Sequence, residues 1–219
     1  MRNAWRACKL RSGDLSSPLE AVMSRALHTL TITCQTGDVA FEFIADRPVL
    51  DYLSTIAERG TSDDEKLRSE QDLVDWINQS GILDSAPPVT QQTLERGKAL
   101  REAMFRLIAA LINHQTAGGT DCTLVNTAAE AAPPQLRLDD DGLHRYGDAD
   151  AVFAFLARDC LDLFDSPDRA ALRWCADAKC TRVFIDRSRG QRRRWCGMKG
   201  CGDRAKAAAY RRRQALPLG

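Results

Sequence analysis

The chain has 219 residues, 44% of them hydrophobic and 28% charged, and a net charge of only +1. The composition rules out a fibrous or low-complexity chain, and no apolar run reaches the eighteen residues that a membrane-spanning helix needs. The near-neutral total hides a division: 167–219 holds 15 Lys plus Arg against 4 Asp, a local charge of +11, whereas 1–166 stands at −10. Such an asymmetry points to two modules with different partners, the basic one drawn to a polyanion.

In chain order, the opening residues are basic but lack an apolar h-region, so no secretory signal is expected. An Arg-rich transit peptide and a later start at Met23 stay open, and 1–38 reads as a weakly ordered extension with a candidate strand over 30–34. Residues 41–43 alternate like a short strand, and Pro48 opens a helix expected to run through 57. After a polar turn over 60–64, Ser69 caps a helix with Asp72 three residues on, a looser capping box. That helix buries Leu73, Trp76 and Ile77 and stops at Gly81.

Pro87-Pro88 reads as a linker to the longest helix, over 90–114. Its Leu100, Ala103, Met104, Leu107, Ile108 and Leu111 keep the spacing of one buried face. Gly118-Gly119 ends that segment, and 121–132 offers another helix. Strands over 135–138 and 143–146 flank an Asp141-Gly142 turn, a strong hairpin signal. A last body helix over 148–164 buries Val152, Phe153, Leu156, Cys160 and Leu163. Residues 39–166 therefore read as an α+β domain, mostly helical with small β-hairpin elements.

Of the eight cysteines, Cys8, Cys34, Cys122 and Cys160 are scattered and read as buried small hydrophobes. The others form a pattern: Cys175 and Cys180 with four residues between them, fifteen more, then Cys196 and Cys201 with four between. Each short gap lets one turn present two sulfurs, and the loop is long enough to bring the two turns to one ion. Four thiolates suit one structural Zn2+; an iron–sulfur centre also takes four, but at other spacings. The shell is closed, and His28, His114 and His144 all lie outside the segment, which argues against zinc-dependent hydrolysis. Unpaired thiols without a secretory signal fit a reducing cytoplasm.

Within the finger, 181–185 reads as a strand, 187–190 as a turn and 192–195 as the return strand. A helix follows with Asp203 placed to cap it. Knuckle, hairpin, knuckle and helix is the order of a treble-clef zinc finger, in 167–219. Trp174 and Trp195 each precede a ligand and are expected to wall the metal off from water. On the last helix Ala208 and Ala209 each fall within about 60° of Ala205 and form a small-residue packing face with it. Arg outnumbers Lys by 12 to 3 in this segment, which suits bidentate grip on phosphate. The candidate nucleic-acid contacts are Arg187, Arg189, Arg192, Arg193, Arg194, Lys199, Arg204, Lys206, Arg211 and Arg213. A solvated face, docking on the acidic body or on a partner protein, and RNA in place of DNA remain alternatives.

The stretch Trp195-Cys-Gly-Met-Lys-Gly-Cys-Gly-Asp-Arg-Ala-Lys206 resembles the CGNR zinc finger family, as do Arg173-Trp-Cys-Ala-Asp-Ala-Lys-Cys180 and Phe184-Ile-Asp-Arg-Ser188. The body is similar to the ABATE domain at Phe43-Ile-Ala-Asp-Arg-Pro-Val-Leu-Asp-Tyr-Leu-Ser-Thr55, Asp72-Leu-Val-Asp-Trp76 and Arg96-Gly-Lys-Ala-Leu-Arg-Glu-Ala103. The resemblance covers about 43–213. It implies a bacterial, stress-linked transcription regulator whose finger binds DNA. The acidic body over 39–166 is read as a domain that senses a small ligand or forms a homodimer. Asp203 stands where the family's tetrad has Asn, so a contact given by that amide is lost, while the capacity to cap a helix is kept. No membrane partner is expected. Nor is an enzyme: the sequence has no nucleophile–His pair, phosphate-cradling loop or dinucleotide fingerprint, and Asp139-Asp140-Asp141 reads as a hairpin tip rather than a Mg2+ site.

Overall fold

Six α-helices and three two-stranded antiparallel ladders form within residues 41–215, the part of the chain that the computed structural model describes. The readings made for 1–38, with Cys8, His28 and Cys34, lie outside the described residues. The order is α1 (Pro48–Leu53), β1 (Ile56–Ala57), β2 (Asp64–Glu65), α2 (Glu70–Ser80), α3 (Gln91–Ile112), α4 (Gly119–Glu130), β3 (Gln135–Asp139), β4 (Gly142–Tyr146) and α5 (Ala149–Asp162). A 3-10 turn (Pro167–Ala171) leads into β5 (Leu172–Trp174), β6 (Val183–Ile185) and α6 (Asp203–Ala215). This is the α+β architecture expected, with α3 against α1, α2, α4 and α5.

Local chemistry sets the helix ends. Ser69 Oγ accepts from the Asp72 N–H while Asp72 Oδ2 accepts from the Ser69 N–H at 2.7 Å, a complete capping box, and Gly81 ends α2 at φ 68°. Thr90 and Asp148 cap α3 and α5 by accepting from Thr93 and Ala151 N–H at 3.2 and 2.8 Å. Every apolar residue expected on the inner faces of α2, α3 and α5 is buried. The same core continues through Val183, Phe184 and Ile185, so strand β6 of the finger packs as part of the body's interior. Cys160 is buried as expected; Cys122 is only half-buried, at the margin of that core.

Several elements depart from expectation for visible reasons. Residues 41–43 form no strand; the chain there turns so that Ile44 and Ala45 N–H both donate to Asp51 Oδ1 at 2.9 Å. Helix α1 ends at Leu53 rather than 57, because Ser54 and Thr55 hydroxyls donate back to the Leu50 and Tyr52 carbonyls and Ile56 enters β1. Gly118 and Gly119 open α4 instead of closing α3. The β3–β4 turn is Asp140-Asp141, with Gly142 already paired to Asp139.

Buried Arg101, 2% exposed, locks the 55–65 segment to α3. Its guanidinium donates to both Glu65 oxygens (2.8 and 2.5 Å), to Glu102 Oε1 (2.8 Å) and to Thr55 Oγ1 (2.9 Å). Burial opposes the charge on Glu65, but the Arg101 hydrogen bonds outweigh it and hold that carboxyl below its usual range.

Candidate metal centre and basic surface

Two turns deliver the four sulfurs. In the first, Cys175 N–H donates to the Arg182 carbonyl at 3.0 Å and Cys180 N–H to the Asp177 carbonyl at 2.9 Å. Ala176 N–H then donates to the Arg194 carbonyl at 2.8 Å, which draws the second turn alongside. In that second turn Gly202 N–H reaches the Gly197 carbonyl at 3.1 Å across Gly200, whose φ 83°, ψ −97° suits a residue without a side chain.

The result is a cluster in which Cys175, Cys180, Cys196 and Cys201 Sγ atoms all lie within 4.8 Å of one another. Cys180 to Cys196 is 3.8 Å and Cys196 to Cys201 is 3.6 Å. Zn–S bonds of about 2.3 Å at tetrahedral corners require sulfurs about 3.8 Å apart, so the donor set fits zinc. Burial and the neighbouring Cys196 sulfur push the Cys201 thiol up to about 12, a pressure that a shared divalent cation reverses. Two N–H groups also face the sulfurs: Cys196 N–H approaches Cys175 Sγ at 3.5 Å and Arg204 Nη2 approaches Cys201 Sγ at 3.1 Å.

The residues expected to touch phosphate divide into two sets. Three of the ten are engaged within the chain. Arg187 donates through both terminal nitrogens to Asp168 at 2.9 Å, and with Arg47 holds that carboxyl below its usual range. Arg193 is only 25% exposed: it pairs with Asp46 at 3.2 Å, donates to the Ile44, Trp195 and Cys196 carbonyls, and lies over the Phe184 ring at 4.4 Å. Arg204 Nε donates to Asp177 at 2.7 Å. The second set, Arg189, Arg192, Arg194, Lys199, Arg211 and Arg213, is exposed and has no acidic partner among the described residues. Lys206 is exposed beside Asp203 at 3.6 Å. Arg212 is exposed too, because the alanine face of α6 does not extend to it.

Other finger readings change as well. No return strand forms over 192–195. Strand β6 pairs with β5, which precedes the first knuckle, and the Ile185 N–H on β6 goes to the Ala45 carbonyl of the body at 3.1 Å. The loop after β6 is instead held by Asp186, 2% exposed, which accepts from Ser188 N–H, Ser188 Oγ and Arg193 N–H. Asp203 is itself helical, at φ −71° and ψ −38°, and begins α6 rather than capping it from outside. Trp174 faces the body, edge-on to Phe105 at 5.9 Å and donating to Asn113 Oδ1 at 3.4 Å. Trp195 is half-buried under the Arg194 guanidinium. The bracing parts of Asp177, Asp186 and Arg204 were not read from the sequence, although a short acidic residue inside a four-residue knuckle was a signal for the first.

A closed four-thiolate centre in a treble-clef-like frame, fused to a helical body, defines a zinc-finger protein. Residues 171–214 match the CGNR zinc finger, and 46–167 match the ABATE family, described as "Putative stress-induced transcription regulator". The chain belongs to the ABATE family and carries a CGNR finger that binds zinc. No curated protein matches it. Among the described residues no helix is long and apolar enough to cross a membrane.

Proposed function

We propose that the protein is a cytoplasmic, non-enzymatic regulator that binds duplex DNA through the exposed basic residues of its finger. In this reading one structural zinc ion is held by Cys175, Cys180, Cys196 and Cys201. The metal supplies the rigidity that so small a segment cannot draw from its own core. The chain's residues do the rest: Arg189, Arg192, Arg194, Lys199, Lys206, Arg211 and Arg213 meet phosphates, while Arg182, Arg187, Arg193 and Arg204 hold the frame.

The observation that carries this reading is the division of the cations. In a finger of charge +11, the acids of the chain engage Arg182, Arg187, Arg193 and Arg204 and leave Arg189, Arg192, Arg194, Lys199, Arg211, Arg212 and Arg213 exposed without an acidic partner among the described residues. Docking on the acidic body engages Arg182 and Arg193, through Glu42 and Asp46, and so uses part of the basic set without exhausting it. Helix α6 adds reach: over 203–214 only Ala205, Ala208 and Ala209 are half-buried, and Arg211, Arg212 and Arg213 lie past them. Arginine at such positions favours phosphate oxygens, and base reading would fall to one or two of them.

A fluorescence-anisotropy titration of labelled duplex with the full chain, repeated across salt, tests it. Seven phosphate contacts give a log–log slope of about −6. No binding at low salt, or a salt-independent affinity, would sink the reading, and tighter competition by structured RNA would move the target to RNA. A mostly apolar cavity of about 400 Å3 between α3, α4 and α5, lined by Leu100, Leu124, Ala128 and Phe153, supports a small-ligand role for the body. Ala128→Phe should abolish any thermal shift that small apolar probes produce; a shift that persists would place their site elsewhere.

A further inference from the structure

We infer that β3 is a self-association edge, and that a second copy of this chain adds its own β3 there to make a four-stranded antiparallel sheet about a two-fold axis through Leu138. The first observation is apolar exposure where a hairpin usually buries its apolar face. Leu136, Leu138 and Leu143 share one face of the β3–β4 ladder, through the pairs Leu136↔Arg145 and Leu138↔Leu143, and are 65%, 79% and 45% exposed. A two-stranded hairpin is marginal alone in water and gains from added strands.

The second observation fixes which edge is free and how it is phased. Arg145 N–H donates to Asp84 Oδ2 at 2.9 Å, and the Arg145 carbonyl accepts from Asp84 N–H at 3.0 Å, so the outer side of β4 is occupied. Because both polar groups of Arg145 point away from β3, the Leu136–Arg145 pair is of the non-hydrogen-bonded kind. By alternation so is Leu138–Leu143. The N–H and C=O of Leu136 and Leu138 therefore face outward on β3, which has no strand partner on that side among the described residues.

Charge then selects the register. Antiparallel self-pairing centred on Leu138 makes Leu138–Leu138 a hydrogen-bonded pair, as the phase requires, and sets Arg137 of each copy opposite Asp139 of the other. Within the chain Asp139 already meets His144 Nε2 at 3.0 Å and Arg137 Nε at 3.9 Å; across the seam, centring on Arg137 would face two arginines, and centring on Leu136 gives neither charge an opposite one. The Leu138 register also aligns Leu143, Leu138, Leu138 and Leu143 in one row across the four strands, flanked by the two copies of Leu136. An isologous contact of this kind closes on itself. It would present two fingers in fixed relation, the arrangement that two-fold symmetric duplex sites match.

Sedimentation velocity of the full chain over a wide range of loading concentration tests the inference. The expected result is a monomer–dimer equilibrium that Leu138→Lys shifts to monomer while far-UV circular dichroism stays that of the wild type. Arg137→Asp alone should also give monomer, and Arg137→Asp with Asp139→Arg should restore the dimer. A wild-type chain that stays monomeric, or a dimer that survives both Leu138→Lys and Arg137→Asp, would overturn it. So would failure of the exchanged pair to re-associate when its circular dichroism is native.

Discussion

Arg204 Nε donates to Asp177 at 2.7 Å, and this bond ties the helix that follows the second knuckle to the turn of the first. The same guanidinium reaches Cys201 Sγ at 3.1 Å, so one planar fork braces both halves of the metal centre. The hydrogen bond it donates to Asp177 raises Arg204 above its ordinary range, so the brace stays charged at any working pH. Residues placed behind metal ligands in this way set affinity nearly as much as the ligands do. Arg204→Ala should weaken zinc binding by about 10–100-fold, and Arg204→Lys should recover little of it, since one ammonium cannot span both partners. Competition with a chromophoric chelator reads this directly; an Arg204→Ala protein with wild-type zinc affinity would refute the bracing role.

Gly200 makes a second test of the knuckle. At φ 83°, ψ −97°, with its nearest side-chain neighbour 3.8 Å from an added Cβ, it has room for a methyl group but not the backbone for one. Gly200→Ala should therefore cost about 1–3 kcal/mol through strain alone. The expected outcome is faster zinc loss to excess chelator, without change in the body's helical signal. Zinc release at the wild-type rate would show that the turn relaxes freely.

The two sets of arginines should separate experimentally. Arg193→Ala removes contacts to Asp46, three carbonyls and the Phe184 ring, so it should lower stability by about 2 kcal/mol or more. Arg211→Ala should leave stability within about 0.5 kcal/mol but reduce the salt slope of DNA binding by about one. Urea unfolding and salt-dependent anisotropy on the same two proteins make the comparison. Equal effects on both quantities would erase the distinction between frame and contact.

Asp51 gives a pH dependence of known sign. Burial pushes its carboxyl up to about 6, despite the Ala45 and Ile44 N–H groups that donate to it. A folded-state value above the unfolded one means that the native chain holds the proton longer, so this group's contribution to stability falls as pH rises between about 4 and 6. Asparagine keeps the acceptor and removes the charge. The stability of Asp51→Asn relative to wild type should rise across that interval by up to about 3 kcal/mol, and a gap that does not move with pH would show that Asp51 is well solvated.

Much of the body was legible because caps and periodicity are local. Ser69 with Asp72, Gly81 and the spacing of Leu100, Ala103, Met104, Leu107, Ile108 and Leu111 each declare their element within a few residues. The metal centre was legible for a different reason: paired cysteines at equal spacing have few other uses. What could not be read was anything settled by a distant partner. Residues 192–195 have a strand-like sequence, yet the Ile185 N–H of β6 goes to Ala45, some 140 positions earlier. Arg193 and Arg194 are indistinguishable by composition, but the fold puts Asp46 and Phe184 beside the first and leaves the second over Trp195 at the surface. Arg101 looked like any helix arginine, and only the return of Glu65 across α3 reveals that it is buried.

The dependence of the basic surface on metal can be measured in one titration. Chelator-stripped full-length protein is mixed with labelled duplex, and Zn2+ is added while anisotropy is followed. Binding should be absent or much weakened at the start and should reach its plateau at one zinc per chain. Undiminished binding by the stripped protein, or a plateau at some other ratio, would contradict a single four-cysteine centre that shapes the DNA-binding face.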